Sequence, residues 1–304
     1  MYLLNKWHKQ IKVLMTSLAV ILVIYPGVCI LGASAAMQIP RLPVTTSPSS
    51  VGLPYRNVSF PSRDNIMLSG WFIPSNSPFA LVLIHGGFQN RVDPTIPTLD
   101  LSHDLFQKGY NVLLFDMRGR GQSEGIGYSL SNADKDIGGA LDYLKTLGYR
   151  SGQIGIIGFC SGAADTCVFA SREHVGAVVL DGCFTGVKDM VNNQAAYRGI
   201  PRIFADIFLP GVQLAARVFY GYKAVNPIDV VGKVTCPILY IREENDELVS
   251  STDGERLISI AGNPANRLWQ ADNTYHSRAY ETLPAEYVTQ IDNFFRTNLA
   301  VMNR

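Results

Sequence analysis

The chain has 304 residues, 47% of them hydrophobic and 17% charged, which excludes a disordered or collagen-like polymer and leaves enough apolar surface for one large α/β domain or two small ones. Its 26 Lys and Arg against 25 Asp and Glu give a formal charge of +1, so no basic excess argues for nucleic acid and no acidic tail for a solvating role. Five cysteines in a chain of this length do not make a disulfide scaffold, and a mean hydropathy of +0.10 fits one membrane-grade segment rather than many.

That segment comes first. Lys6, Lys9 and Lys12 precede residues 13–31, which carry no charge. At about 1.5 Å per residue this run spans about 28 Å, close to one hydrocarbon core. The next charge is Arg41, so the lysine bias predicts a single pass with a cytoplasmic N-terminus and everything after it exported. A cleaved signal peptide would use residues 13–25, break at Pro26-Gly27 and end near Ala33-Ser34-Ala35, leaving a secreted or periplasmic protein. An uncleaved anchor would use the whole stretch, and the apolar continuation Val28-Cys29-Ile30-Leu31 favours it. Bulky Val28 argues against lipidation at Cys29. Residues 1–37 are therefore expected as anchor or signal. Pro40, Pro43, Pro48 and Pro54, with Ser and Thr between them, make 38–54 an extended linker, and the folded domain is expected over 55–299.

Strands and helices then alternate. Residues 57–60 and 66–73 read as a hairpin around Arg63-Asp64-Asn65. Residues 80–84 form a continuous apolar run ending in His85-Gly86-Gly87, as a buried strand does. A helix over 99–108 capped by Gly109, a strand over 111–115, and an amphipathic helix over 132–147 ended by Gly148 follow. Further strands are expected at 154–157, 177–180, 238–241 and 268–270, with helices at 161–170, 252–260 and 285–299. This order predicts a mostly parallel sheet covered on both faces.

The chemistry centres on Gly158-Phe159-Cys160-Ser161-Gly162-Ala163, between a strand and a helix. A nucleophile elbow places its central residue on a strained strand-to-helix turn and needs tiny residues two places before and after it. Centring on Cys160 puts Gly158 and Gly162 there, whereas centring on Ser161 would put bulky Phe159 against the turn. Cys160 therefore holds the nucleophile position. A buried structural cysteine on an ordinary βα turn would carry the same pattern. Cys167, Cys183 and Cys236 read as core, and Cys183 could pair with Cys160 if their strand ends are neighbours.

Together, His85-Gly86-Gly87, the segment Asp116-Met117-Arg118-Gly119-Arg120-Gly121-Gln122-Ser123 and the elbow resemble the α/β-hydrolase superfamily over nearly all of 55–299, in its serine-aminopeptidase and lysophospholipase-like branch. Cysteine at the centre of the elbow is similar to the dienelactone hydrolases instead. The resemblance implies an eight-stranded, mostly parallel sheet with helices on both faces and a short helical cap over about 184–227. It also implies the order nucleophile, acid, histidine. Asp246 fits the acid, in a loop after the strand 238–241, although Glu243 stands where the family usually has Gly, and Glu243, Glu244 and Glu247 are nearby competitors. His276 fits the base, before the last helix and with no rival after His174. His85 is expected to order the oxyanion loop, and Asp116 and Arg118 to hold a turn.

The implied reaction runs through Cys160, His276 and Asp246, with the N–H groups of Ser161 and Gly87 as the oxyanion hole. The helix starting at Ser161 points its positive end at the sulfur and favours the thiolate. An ester, thioester or lactone hydrolase with a small-molecule acyl substrate is the first expectation. A non-catalytic hydrolase-like binding module and an aminopeptidase-type hydrolase are the alternatives. No metal constellation, phosphate loop or dinucleotide fingerprint is present, so no cofactor is expected, nor a nucleic-acid partner. The aromatic and apolar residues of the cap, among them Tyr197, Phe204 and Phe208, are expected to form an acyl-binding wall, close to the bilayer.

Overall fold

The computed structural model describes residues 2–126 and 132–300, so Met1 of the expected anchor and residues 127–131 of the expected domain lie outside it. The chain opens with one long helix: α1 (Tyr2–Ala19), a π-helical turn (Val20–Ile24) and α2 (Tyr25–Met37). Pro26 sits in the first turn of α2. A proline ring clashes with the carbonyl four residues back, and the widened turn just before it takes up that clash.

The segment expected as an extended linker lies along the domain. A 3₁₀ turn (Pro48–Val51) forms, Val44, Val51 and Leu53 pack on the core, and Asn90 Nδ2 donates to the carbonyls of Leu42 and Pro43 at 3.0 and 3.1 Å. The few apolar residues scattered among the prolines suffice to lay this strap against the domain.

The domain runs β1 (Arg56–Pro61), β2 (Met67–Ile73), β3 (Ala80–Ile84), α3 (Thr98–Gln107), β4 (Asn111–Phe115), α4 (Ala133–Thr146), β5 (Ile154–Phe159), α5 (Ser161–Ala170) and β6 (Ala177–Asp181). After these come α6 (Val187–Tyr197), α7 (Arg202–Tyr220), α8 (Pro227–Val230), β7 (Ile238–Glu243), α9 (Asp253–Ile260), β8 (Arg267–Ala271), α10 (Ala279–Thr282) and α11 (Pro284–Asn298). One eight-stranded sheet results, in the order β1-β2-β4-β3-β5-β6-β7-β8. β2 runs antiparallel to both its neighbours, and all other pairs are parallel.

Central strands covered on both faces must be apolar on both, which is why β3 is a continuous run. Ala80, Val82 and Ile84 pack with Ile137 and Leu141 of α4 and Ala163 and Cys167 of α5 on one face. Leu81 and Leu83 pack with Leu101 and Leu105 of α3 and Ile291 and Phe295 of α11 on the other. α5 is buried along its whole length, which explains its mostly small residues. In such a sheet, ligand groups collect at the C-terminal ends of the parallel strands.

Candidate active site

Between β5 and α5 the chain turns from strand to helix within one residue, Cys160, at φ 53° and ψ −118°. A non-glycine residue at positive φ is strained and persists only where its surroundings impose it. The surroundings are packed backbone. A Cβ on Gly158 would stand 2.5 Å from the Gly162 carbonyl oxygen and 2.5 Å from Thr166 Oγ1, and one on Gly162 would stand 2.5 Å from the carbonyl oxygens of Ile84 and His85. The glycines two places either side of Cys160 are therefore a steric requirement. The Cys160 N–H donates to the Asp181 carbonyl at 2.9 Å, and the residue is half-buried. All five cysteines are free.

The loops after β7 and β8 bring an acid and a histidine to the same end of the sheet. Asp246 Oδ1 accepts the N–H groups of Leu248 and Val249 at 2.7 and 2.8 Å, which fixes the carboxylate. Its Oδ2 accepts the Nδ1–H of His276 at 2.7 Å. His276 Nε2 is buried without a hydrogen-bond partner, and the Cys160 side chain is its neighbour. Burial opposes a charge on this imidazole, but the Cys160 charge and the Asp246 carboxylate outweigh it and hold His276 well above its ordinary value. The three residues named from the sequence thus converge.

The loop after β3 supplies rigid backbone. His85 Nδ1 donates to the Gly86 carbonyl at 2.8 Å, while its Nε2 accepts the Met117 N–H at 3.0 Å. That pattern requires the neutral ring, and burial accordingly pulls His85 down to about 4. The Gly86 carbonyl also accepts the Gln89 N–H at 3.1 Å, so the plane of the Gly86–Gly87 peptide, which carries the Gly87 N–H, is locked. Arg120 fixes the next peptide, donating from Nε and one Nη to the Gly87 carbonyl at 2.9 and 2.6 Å. Gly86 lies against Cys160, since a Cβ there would sit 3.7 Å from the cysteine Cβ.

A strained cysteine after β5, a paired acid and histidine after β7 and β8, and a glycine loop after β3 occur here in one sheet. The sequence profile of the alpha/beta hydrolase family matches residues 81–300. The chain belongs to that family. It is similar to the protein YqkD of Bacillus subtilis (strain 168), 28% identical over 244 residues and 77% of each chain. It is also similar to the alpha/beta hydrolase domain-containing protein WAV2 of Arabidopsis thaliana, 25% identical over 245 residues and 75% of each chain. Among solved structures, the Pyrococcus furiosus esterase Pf2001 superposes with a TM-score of 0.74 at 23% identity, covering 88% of this chain and 99% of that one. The Rhodococcus esterase RhEst1 gives a TM-score of 0.59 at 17% identity, with 80% and 99% covered. At these identities the solved structures share the fold.

In this hydrolase the sequence reading missed a pair of buried carboxyls, one of them bonded to the residue after the histidine. Glu243, the residue standing where glycine is usual, turns inward at the end of β7 and hydrogen-bonds Asp181 at the end of β6. Burial raises both carboxyls, Glu243 well above the ordinary range. Glu243 Oε1 accepts the Ser277 N–H at 3.0 Å and Asp181 Oδ2 accepts the Tyr287 hydroxyl at 2.6 Å. Asp181 Oδ1 and Glu243 Oε2 meet no donor from any other residue, so one proton shared by the pair satisfies both. The only sequence signal for this was an acid at the end of each of two apolar strands. Glu243 is thereby occupied elsewhere, and Glu244 accepts the Asn273 N–H at 2.7 Å, which leaves Asp246 as the carboxylate on His276.

Asp116 and Arg118 hold the neighbouring turn. Asp116 accepts the N–H groups of Arg91 and Gln122, each at 2.8 Å, and Arg118 spans Asp136 and Asp64 at 2.7 and 2.6 Å. The cap differs from the expected wall. Phe184 and Tyr222 are buried, but Tyr197 of α6 is exposed, and so are Ile203, Phe204, Ile207 and Phe219, because α7 spends its small residues packing against α2. Among the described residues no group of three or more His, Cys, Asp or Glu is placed to hold a metal ion.

Proposed function

We propose that this alpha/beta hydrolase cleaves an ester, thioester or lactone through Cys160, His276 and Asp246. The observation carrying the proposal is a strained cysteine beside a buried His276 Nε2 that has no other partner, with Nδ1 engaged by Asp246. Nε2 takes the thiol proton, and the thiolate attacks the acyl carbonyl. The N–H groups of Ser161 and Gly87 hold the developing oxyanion, a donor role whose loss typically costs about 2.7–4 kcal/mol. As the tetrahedral species collapses, the carbon–leaving-group bond breaks and His276 returns the proton to the leaving group, leaving an acyl thioester on Cys160. A water molecule, deprotonated by His276, cleaves that thioester and restores the thiol.

The non-catalytic alternative rested on the cysteine and on Glu243. Glu243 is engaged by Asp181 and by the Ser277 N–H next to the histidine, which supports the enzymatic reading. In the cell, residues 1–37 would anchor the protein by a single pass, with the N-terminus cytoplasmic, 38–54 as a strap and the domain exported. The test of the reaction is a burst experiment with p-nitrophenyl esters, lactones and aminoacyl amides. A stoichiometric burst and an acyl adduct on Cys160 by mass spectrometry are expected with esters or lactones. No adduct, or turnover of amides alone, would overturn the proposal.

A further inference from the structure

Within the domain, α7 is a long helix whose apolar stripe faces away from the protein. Ile203, Ile207, Leu214 and Val218 recur along one side of it and are 62%, 50%, 63% and 66% exposed, with Phe204 beside them at 52%. Its other side is taken by α2. The Tyr25 hydroxyl donates to the Ile207 carbonyl at 2.9 Å and its ring stacks on Phe208. Gly211 is required, because a Cβ there would stand 2.4 Å from Cys29 Sγ, and on α2 a Cβ at Gly32 would stand 3.0 Å from Val212 Cγ2. Gln38 Nε2 then donates to the Tyr220 hydroxyl at 3.3 Å. The contacts advance together along both helices, so α2 and α7 run side by side in the same direction.

By that register the end of α7 bearing Ile203 and Phe204 lies beside the turn preceding Tyr25, within the uncharged run 13–31. Val20 to Ile24 are themselves exposed on all sides of their turn. Although α7 is long and apolar enough to cross a bilayer, its place in the chain forbids it. β6 precedes it and β7 follows it as neighbours in one sheet, so α7 must enter and leave on the same side.

We infer that the exposed face of α7 is embedded, without spanning, in the same bilayer leaflet that α2 leaves, so that the cap is a second membrane contact of this protein. The inference rests on the anchor reading of residues 1–37. It also bears on the site, because Asn193 of α6 donates to the Leu248 carbonyl at 3.0 Å and ties the cap to the loop carrying Asp246.

The test uses the full chain in phosphatidylcholine vesicles. Trp7 reports on the anchor itself. In a Trp7→Phe background the remaining tryptophans, Trp71 and Trp269, lie in the domain, and Phe204→Trp adds a reporter on α7. Lipid brominated in its acyl chains is expected to abolish most of the emission that Phe204→Trp adds, and to leave the emission of a control Glu286→Trp on α11 unchanged. Quenching of Trp7 without quenching at position 204 would overturn the inference while leaving the anchor standing. Loss of Trp7 quenching as well would remove the anchor reading with it. Emission at position 204 that ignores brominated lipid but shifts to the blue with protein concentration would assign the face to a second copy of the chain, and overturn the inference too.

Discussion

Against burial, the Cys160 charge and the Asp246 carboxylate on Nδ1 together raise His276, and Asp246→Asn removes the second of these while keeping its shape. The imidazole of the variant should therefore lose its proton at a lower pH than in the wild type. The basic limb of kcat/KM on a soluble ester should therefore move down, and a limb that stays in place would mean that another group orients the histidine. At the elbow, Cys160→Ala should abolish turnover, while Ser161→Ala should keep much of it because alanine retains the backbone N–H. Equal activity of Cys160→Ala and the wild type would show that another group does the chemistry. The shared proton of Glu243 and Asp181 is testable by stability. Gln at position 243 can donate to Asp181 and still accept from Ser277, whereas Glu243→Ala strands both partners and should cost about 1–3 kcal/mol in urea unfolding. The sign with pH follows from both carboxyls being raised in the fold: their contribution is fullest below the unfolded value and declines as pH rises. Glu243→Gln removes one of the titrating groups and should flatten that decline.

At the scale of elements, the elbow and the Arg118 turn make opposite demands. Gly158→Ala must push a Cβ into packed backbone and the Thr166 hydroxyl, so overpacking of about 1–3 kcal/mol is expected, with activity lost as the turn relaxes. Asp136→Ala instead leaves the buried Arg118 with only the more exposed Asp64, and breaking such a pair typically costs about 3–5 kcal/mol. Thermal or urea unfolding of the two variants checks both figures. These elements were legible because burial on both faces writes itself into sequence. β3, β4 and α5 fall at the expected 80–84, 111–115 and 161–170. β5 runs on to Phe159 because Gly158 and Phe159 still pair with Leu180 and Asp181, and periodicity carries no record of pairing. Motif order was enough to bring Cys160, Asp246 and His276 to one end of the sheet, but it held no sign of the Glu243–Asp181 pair. It joins residues 62 positions apart through a lateral strand neighbourhood. The apolar stripe of the cap was visible too, yet a stripe shows a face and not its partner. The wall expected over the active site turned out to lie against α2 and outward.

Across the whole molecule, that partnership changes what cutting the strap should do. If residues 38–54 were the sole tether, a protease site inserted after exposed Thr45 would free the domain into solution once cleaved. In this fold the domain also holds α2 through α7, by stacked rings, interhelical hydrogen bonds and close glycine contacts. The strap, moreover, is fastened by Asn90 and by Arg41, which donates to the Gly125 carbonyl at 3.2 Å. Cleavage therefore removes a covalent link without removing the contact, and the cut domain should sediment with the membranes until detergent is added. Spheroplasts carrying the inserted site, a tag at each terminus and externally added protease provide the measurement. The cytoplasmic tag should survive and the C-terminal tag should stay in the membrane pellet after cutting. Substituting Gly211→Leu drives a side chain into Cys29 and Tyr25, and should convert retention into release. Prompt release from the unsubstituted chain would mean that α2 and α7 do not hold together in the membrane. Protection of the strap from external protease would place the domain on the cytoplasmic side, against the lysine bias of the N-terminus.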